Sequence, residues 1–518
     1  LTLWAMSDFD VVVIGAGMGG MVAANYLASL GIKTLVVEQS HHTGGNMSGF
    51  TRKGYYFDGG DQSFESLGIV FPILAELDLY DRFVWTKCRY RMQSADFDFF
   101  IDSFDQVEEA LQTAFPEEKG IKPLFREVRR VSQFIDTNCT PWEFPLIHHF
   151  SFKHLLKLLP YLPKLQRWLK FSYREKVCSL IRNPDLRNWF TQIGYYRMPF
   201  IFFAGFWHLW MKDYWYPQGG MQHFHDLLAQ RFIQAGGMLR LNTQVTRIES
   251  DSGKVTALET SEGERISAKR FIYGGDYKRL VWELTEPTLW ESGFRAKIKE
   301  ARLTEAILNV YLGLRRSPTE VGDTLKAPHV FYFPNYQVIF PDQFSPRDVH
   351  RSMWVALNHF GLDNPNAAPP GQTTVVLQTY SSYFWENCWL NGSSAYPRST
   401  LYRQFKNEIG MHLVETAEHI LPGLKQSIEY FEVGTPLSLE RFTLNTEGST
   451  GGWCYDTELS PVFRLPGLNL IHTPLSNLLT CGHYSVWPGG VISACLSGKI
   501  VANLTAGRKP FAPLKLTG

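Results

Sequence analysis

The chain has few cysteines: seven in 518 residues (Cys88, Cys139, Cys178, Cys388, Cys454, Cys481 and Cys495), an odd number with no C-x-x-C pair. Such scattered thiols exclude a zinc ribbon or a secreted disulfide framework and fit a reducing compartment. No run of about 20 apolar residues is present, as a bilayer-spanning helix requires. An excess of charge is also missing. Lys+Arg 51 against Asp+Glu 50 leaves +1, a balance that gives no general attraction to nucleic acid. There is no G-x-S-x-G elbow, no H-E-x-x-H and no Walker A lysine motif. No metal site is expected, because the adjacent pairs His41–His42 and His148–His149 point different ways on a strand and chelate poorly. The first five residues lack the basic start and apolar run of a secretory leader, and Met6 is expected to be the natural start. Apolar material is plentiful, with 44% hydrophobic and 14% aromatic residues. That composition excludes disorder and supplies cores for two or more domains at ~150 residues each.

Residues 9–15 form a β-branched run ended by Gly15, as in a buried parallel strand. Gly15-Ala16-Gly17-Met18-Gly19-Gly20 follows, then a helical pattern from Met21 to Leu30, a stop at Gly31 and a second strand, Lys33 to Glu38. Between a strand and a helix this spacing has a mechanism. Gly15 permits the tight turn, Gly17 admits a pyrophosphate to the backbone, and Gly20 lets helix and strand pack closely. The helix start offers free N–H groups to phosphate. Glu38, eighteen residues past Gly20, is placed to accept both ribose hydroxyls and would repel a 2′-phosphate. Ala16, Met18 and Gln39 belong to the same expected contact set.

Two further glycine-rich turns distinguish FAD from NAD. Gly44-Gly45 lies six residues beyond Glu38, and Gly54-Tyr-Tyr-Phe57-Asp58-Gly59-Gly60-Asp61-Gln62 comes next. The first would run along a pyrophosphate. The second, with Gly60, Asp61 and Gln62, would pass a flavin ring edge, and an NAD site has no use for either.

With these turns the sequence resembles the phytoene desaturase family of flavoproteins, which includes carotenoid cis–trans isomerases and retinol saturases. Tyr214-Trp-Tyr216-Pro217-Gln-Gly219-Gly220 is similar to that family's Y-x-P-x-G-G motif, and Val486-Trp-Pro488-Gly489-Gly490-Val491 with Ala494 and Ser497-Gly498 to its P-G-G-G-V…A-x-x-S-G signature. The resemblance implies that the backbone of Val245 contacts adenine and that Phe271 to Asp276 closes the cofactor domain. It also implies that Gly489, Gly490 and Val491 open a helix facing the flavin. Two departures stand out: Asn46 follows Gly44-Gly45 where a basic residue is usual, and residues 471–485 carry no A-G-D aspartate. The implied fold is α/β, a Rossmann-like FAD-binding domain (GR2 type) with a discontinuous α+β substrate domain that contains a mixed sheet and membrane-facing helices. The expected boundaries are 6–70, 214–300 and 440–518 for the cofactor domain, and 71–213 and 301–440 for the substrate and membrane-association domain.

Between Ser151 and Lys176, seven Lys and Arg stand against the single acid Glu175, interleaved with leucines and Trp168 and broken by Pro160 and Pro163. Basic amphipathic pieces of this kind suit an anionic lipid surface or a solvated face. Tyr195 to Trp215 holds ten aromatics in twenty-one residues, suited to an apolar tunnel or a core. The strands expected in the second insert are His329 to Phe340, Met353 to Phe360 and Thr373 to Tyr383, with a helix from Thr400 to Ile420. Candidate acid/base groups are Asp61, in the turn near the flavin, and His483, before the final helix.

The expected activity is FAD-dependent desaturation of a long apolar isoprenoid by hydride transfer to flavin N5, with quinone or oxygen as electron acceptor. Carotenoid isomerisation on reduced FAD, a retinoid-type saturase and a prenyl-lipid carrier or escort protein are the alternatives. The expected setting is cytoplasmic, at the membrane periphery, with a hydrophobic polyene as partner.

Overall fold

The computed structural model describes residues 9–145, 147, 156–338, 343–464 and 470–514. Met6, His148, His149, Phe340 and the stretch 151–155, with Lys153, lie outside the described residues.

Short β-branched segments build a five-stranded parallel sheet in the order Met238–Arg240, Thr34–Val37, Val11–Ile14, Arg270–Tyr273 and Leu478–Thr480. Val11–Ile14 and Thr34–Val37 are buried at every position. Strands covered on both faces lose the polar alternation of an exposed sheet. The helices Met18–Ser29 and Val491–Thr505 pack together beside this sheet. Their approach depends on small residues, since a Cβ on Gly498 would stand 2.5 Å from the Gly19 carbonyl oxygen.

A second, seven-stranded mixed sheet runs Ile428–Gly434, Ala306–Leu314, Thr373–Ser381, Val355–Asn358, His329–Phe333, Tyr90–Ser94 and Asp98–Phe100. Only His329–Phe333 and Tyr90–Ser94 pair in parallel there. The strand expected to reach Phe340 ends at Phe333, because Pro334 has no N–H for the ladder. Thr400–Ala417 forms the expected helix.

A small sheet joins the two layers. Phe64–Glu65 pairs antiparallel with Tyr214–Pro217, which also pairs with Trp85–Lys87. Tyr214–Pro217 follows the aromatic helix Phe200–Lys212, which packs on Ile121–Asn138 through Trp207 and Phe125 (ring centroids 5.4 Å apart). Prolines break the basic stretch as expected: Leu159–Tyr161 is a 3₁₀ turn and Leu162–Lys170 a helix. Trp168 is buried there against Phe134, whereas Leu156, Leu159, Leu162 and Phe171 are exposed. Among the described residues no helix is long and apolar enough to cross a membrane.

Candidate functional site

The first strand ends at Gly15, whose φ of +99° only glycine adopts without strain. Gly17 precedes the helix Met18–Ser29, and no side chain caps its first turn, so the N–H groups there face the space in front. Nothing lies within 4 Å of where a Cβ on Gly17 would stand, whereas one on Gly20 would run into the carbonyl oxygen of Gly15. Glu38 closes the wall. Its carboxylate accepts from the Ala16 N–H at 2.7 Å and the Ser40 N–H at 2.9 Å. Burial pushes this carboxyl above its usual range, while those N–H groups hold it back.

The second glycine pair folds onto the first. Gly17 and Gly44 form a parallel bridge, and the Gly44 N–H donates to the Ala16 carbonyl at 3.0 Å. Asn46 receives the third turn, accepting from the Asp61 N–H at 3.1 Å through its backbone oxygen. Its side-chain amide donates to the Thr450 carbonyl at 2.9 Å, and its Oδ1 accepts from Asn445 at 3.3 Å. The residue that replaces the usual base is therefore a tie between distant segments. Upstream of the turn, the Asp58 carboxylate accepts from Tyr56 and Tyr216 hydroxyls and from the Met221 N–H, which gives the Tyr216-Pro217 motif a structural role.

These elements surround a cleft lined by Gly15, Gly17, Met18, Glu38, Gln39, Gly44, Gly45, Asn46, Asp61, Val245, Asp276, His483, Gly490 and Val491. Five residues expected to contact the cofactor stand back from it. Ala16 contributes its N–H to Glu38, and Gly20 packs against the turn behind. Gly60 packs against the Asn46 carbonyl. Gln62 turns its amide to the carbonyls of Asp58 and Gly60. Gly489, at φ +105°, lies against the Tyr455 hydroxyl. Asp276 lines the cleft, but its carboxylate accepts from the Arg279 and Thr446 N–H groups and the Tyr484 hydroxyl.

The two candidate acid/base groups differ. Burial holds His483 down at about 4, so its imidazole is neutral near pH 7 where it walls the cleft. Burial pushes Asp61 up to about 7, and among the described residues no protein donor is recorded to its carboxylate.

A separate apolar cavity of about 150 Å³ has a volume that takes a single six-carbon ring. Its walls include Tyr195, Phe206, Trp210 and Tyr214 from the aromatic run, together with Phe331, Trp354 and Tyr380. Phe200, Phe203 and Trp207 of the same run are buried core. Sequence reasoning missed Glu65, which stands between Gly490 of the cleft and Tyr214 of the cavity, and Tyr455, which stands between Gly489 and Tyr195. Neither belongs to a motif, and their neighbours are far away in the chain.

The cleft fits a flavin dinucleotide on its own features. A glycine cradle is open at Gly17, a helix start is free for phosphate, an acid stands at the ribose position, and a long extension passes Asp61 and Gly490. The sequence profile of the family described as flavin containing amine oxidoreductase matches residues 18–505. An all-trans-retinol 13,14-reductase of Danio rerio is 24% identical over 98% of this chain and 88% of its own length. A 1-hydroxycarotenoid 3,4-desaturase of Flavobacterium sp. (strain P99-3) is 24% identical over 95% and 98%. The structure of wild-type putrescine oxidase bound to putrescine superposes with a TM-score of 0.62 at 14% identity, over 96% of this chain and 99% of that one, a likeness of fold.

Proposed function

This chain belongs to the flavin containing amine oxidoreductase family, and from that premise we propose that it desaturates a long apolar isoprenoid of carotenoid type. The protein is an FAD-dependent oxidoreductase of the group that holds carotenoid desaturases and retinol reductases. When bound, FAD supplies a two-electron acceptor for hydride. One observation carries the substrate class: aromatic rings wall a cavity with room for one ring-sized piece of such a molecule, its end group. A hydrocarbon offers no polar handle, so its recognition rests on shape and burial at roughly 25 cal/mol per Å². Those walls also exclude water from the reacting carbons.

A second reading, saturation of a double bond, is favoured by the likeness to the Danio rerio reductase along 98% of the chain. It is the same hydrogen transfer run in reverse. Quinone or oxygen is proposed to reoxidise the cofactor, and the exposed Leu159, Leu162 and Phe171 beside Lys164 and Lys170 are proposed to meet an anionic lipid surface.

The test is anaerobic incubation of the FAD-loaded protein, once oxidised and yellow and once with its flavin reduced by dithionite, with a 1-hydroxycarotenoid, all-trans-retinol and a poly-cis carotene, followed by mass analysis. Loss of two hydrogens supports desaturation and gain of two supports saturation. A new geometry at unchanged mass would replace both readings with isomerisation. A colourless protein that FAD cannot reconstitute would favour a lipid carrier.

A further inference from the structure

Glu65 stands between a wall residue of the nucleotide cleft and a wall residue of the aromatic cavity. Pairing of Phe64–Glu65 with Tyr214–Pro217 sets it opposite Tyr214, a cavity wall. On the other side its Oε1 lies 3.5 Å from where a Cβ on Gly490, a cleft wall, would stand. The groups facing it from the packed elements are the carboxyls of Asp61 and Asp213 and the phenols of Tyr90, Tyr195, Tyr214 and Tyr455. Among the described residues no Lys, Arg or His is recorded in an ion pair with it. Asp213 is already occupied, accepting from the Leu67 N–H and the Trp215 indole.

We propose that Glu65 is the catalytic residue that carries the substrate proton, an assignment that rests on the hydrogen-transfer reading above. Desaturation breaks two C–H bonds on adjacent carbons. One hydrogen leaves with its electron pair as hydride to the two-electron acceptor already named. The other leaves as a proton to a Glu65 oxygen, and the electron pair of its C–H bond becomes the new π bond. The carboxylate becomes a carboxylic acid and then returns the proton to water. In the saturating direction the same carboxylic acid gives its proton to the carbon.

The surroundings suit this work. Burial, with the like charges of Asp61 and Asp213, pushes the Glu65 carboxyl up to about 8, against the pull of its own N–H and of the Tyr214 hydroxyl that donates to it. Proton transfer is most efficient when the group titrates near the working pH. The surrounding phenols are weaker candidates, because burial pushes those of Tyr214 and Tyr455 well above their usual range.

The test compares wild type, Glu65→Gln, Glu65→Asp and Asp61→Asn, all FAD-loaded, with the three polyene probes above, a quinone being added for the desaturating direction and dithionite for the saturating one. Glu65→Gln is expected to cut turnover about 100-fold or more, with FAD affinity and the visible flavin spectrum within about threefold of wild type, while Glu65→Asp regains part of the rate. Desaturation by wild type should rise with pH and level off above about 8; saturation should instead fall through the same range. Infrared titration gives a readout independent of turnover. A protonated-carboxyl band that fades around pH 8, above the Asp61 band that fades around 7, should vanish in Glu65→Gln and persist in Asp61→Asn. Full turnover in Glu65→Gln, or survival of that band, would overturn the assignment alone. A wild-type protein that binds FAD yet alters none of the polyenes would overturn the hydrogen-transfer reading, and this assignment with it.

Discussion

At the residue scale, glycines of one turn do different work, and substitution separates them. Gly17 has φ −73° with open space where its Cβ would be, so Gly17→Ala is expected to fold with the thermal stability of wild type. Its methyl group would take the pyrophosphate's place, and FAD affinity should fall about tenfold or more. Gly20→Ala puts a methyl into the Gly15 carbonyl, and both melting temperature and affinity should drop. Calorimetry of apoprotein beside FAD titration separates the two outcomes. Asp61 gives a pH signature. Burial holds its carboxyl at about 7 in the folded chain, above the usual 3.8 of an aspartate, so the folded state keeps a proton that the unfolded chain releases. The associated stability is present below about pH 4 and is lost as pH rises toward 7. Asp61→Asn apoprotein should therefore match wild type at pH 4 and melt higher at pH 8. The glycine cradle and Glu38 were legible because their neighbours lie close in sequence. The direction of Gln62 was not, since its amide binds the backbone of its own turn.

At the scale of elements, the helices Met18–Ser29 and Val491–Thr505 depend on a shared stripe of small residues. Gly498→Ala would drive a methyl toward the Gly19 carbonyl and should cost about 1–3 kcal/mol, the usual range for overpacking. Urea melts of the apoprotein would measure it, and an unchanged midpoint would show that the helices separate freely. This stripe was readable as spacing in the final helix, because helical periodicity alone puts those residues on one face. The role of Asp276 was harder to read. It follows the strand Arg270–Tyr273, yet its oxygens are taken by backbone and phenol donors from residues 279, 446 and 484. Glu65 was invisible for a related reason: its partner strand begins at Tyr214, and no local pattern announces that pairing. The aromatic run was recognised as apolar, but which rings face the cavity depends on packing against Ile121–Asn138.

At the scale of the whole molecule, the cleft lies at the ends of the parallel sheet and the aromatic cavity against the seven-stranded one, while the basic helices leave leucines exposed among lysines. Replacing Leu159, Leu162 and Phe171 together by alanine should weaken sedimentation with anionic vesicles about tenfold or more, given roughly 1.5–3 kcal/mol per buried side chain. Raised salt should weaken wild-type binding as well; equal sedimentation of both proteins would remove the lipid surface as a partner. The cleft itself is stitched from remote pieces: Ala16 to Gly44, Asn46 to Thr450, and Asp276 to Thr446. On the ribosome, Gly15 and Gly44 emerge long before Gly490 exists to complete their pocket. A nascent chain therefore has no place to keep a flavin, and a product cut short before Gly490 should come off colourless however much FAD the cell holds.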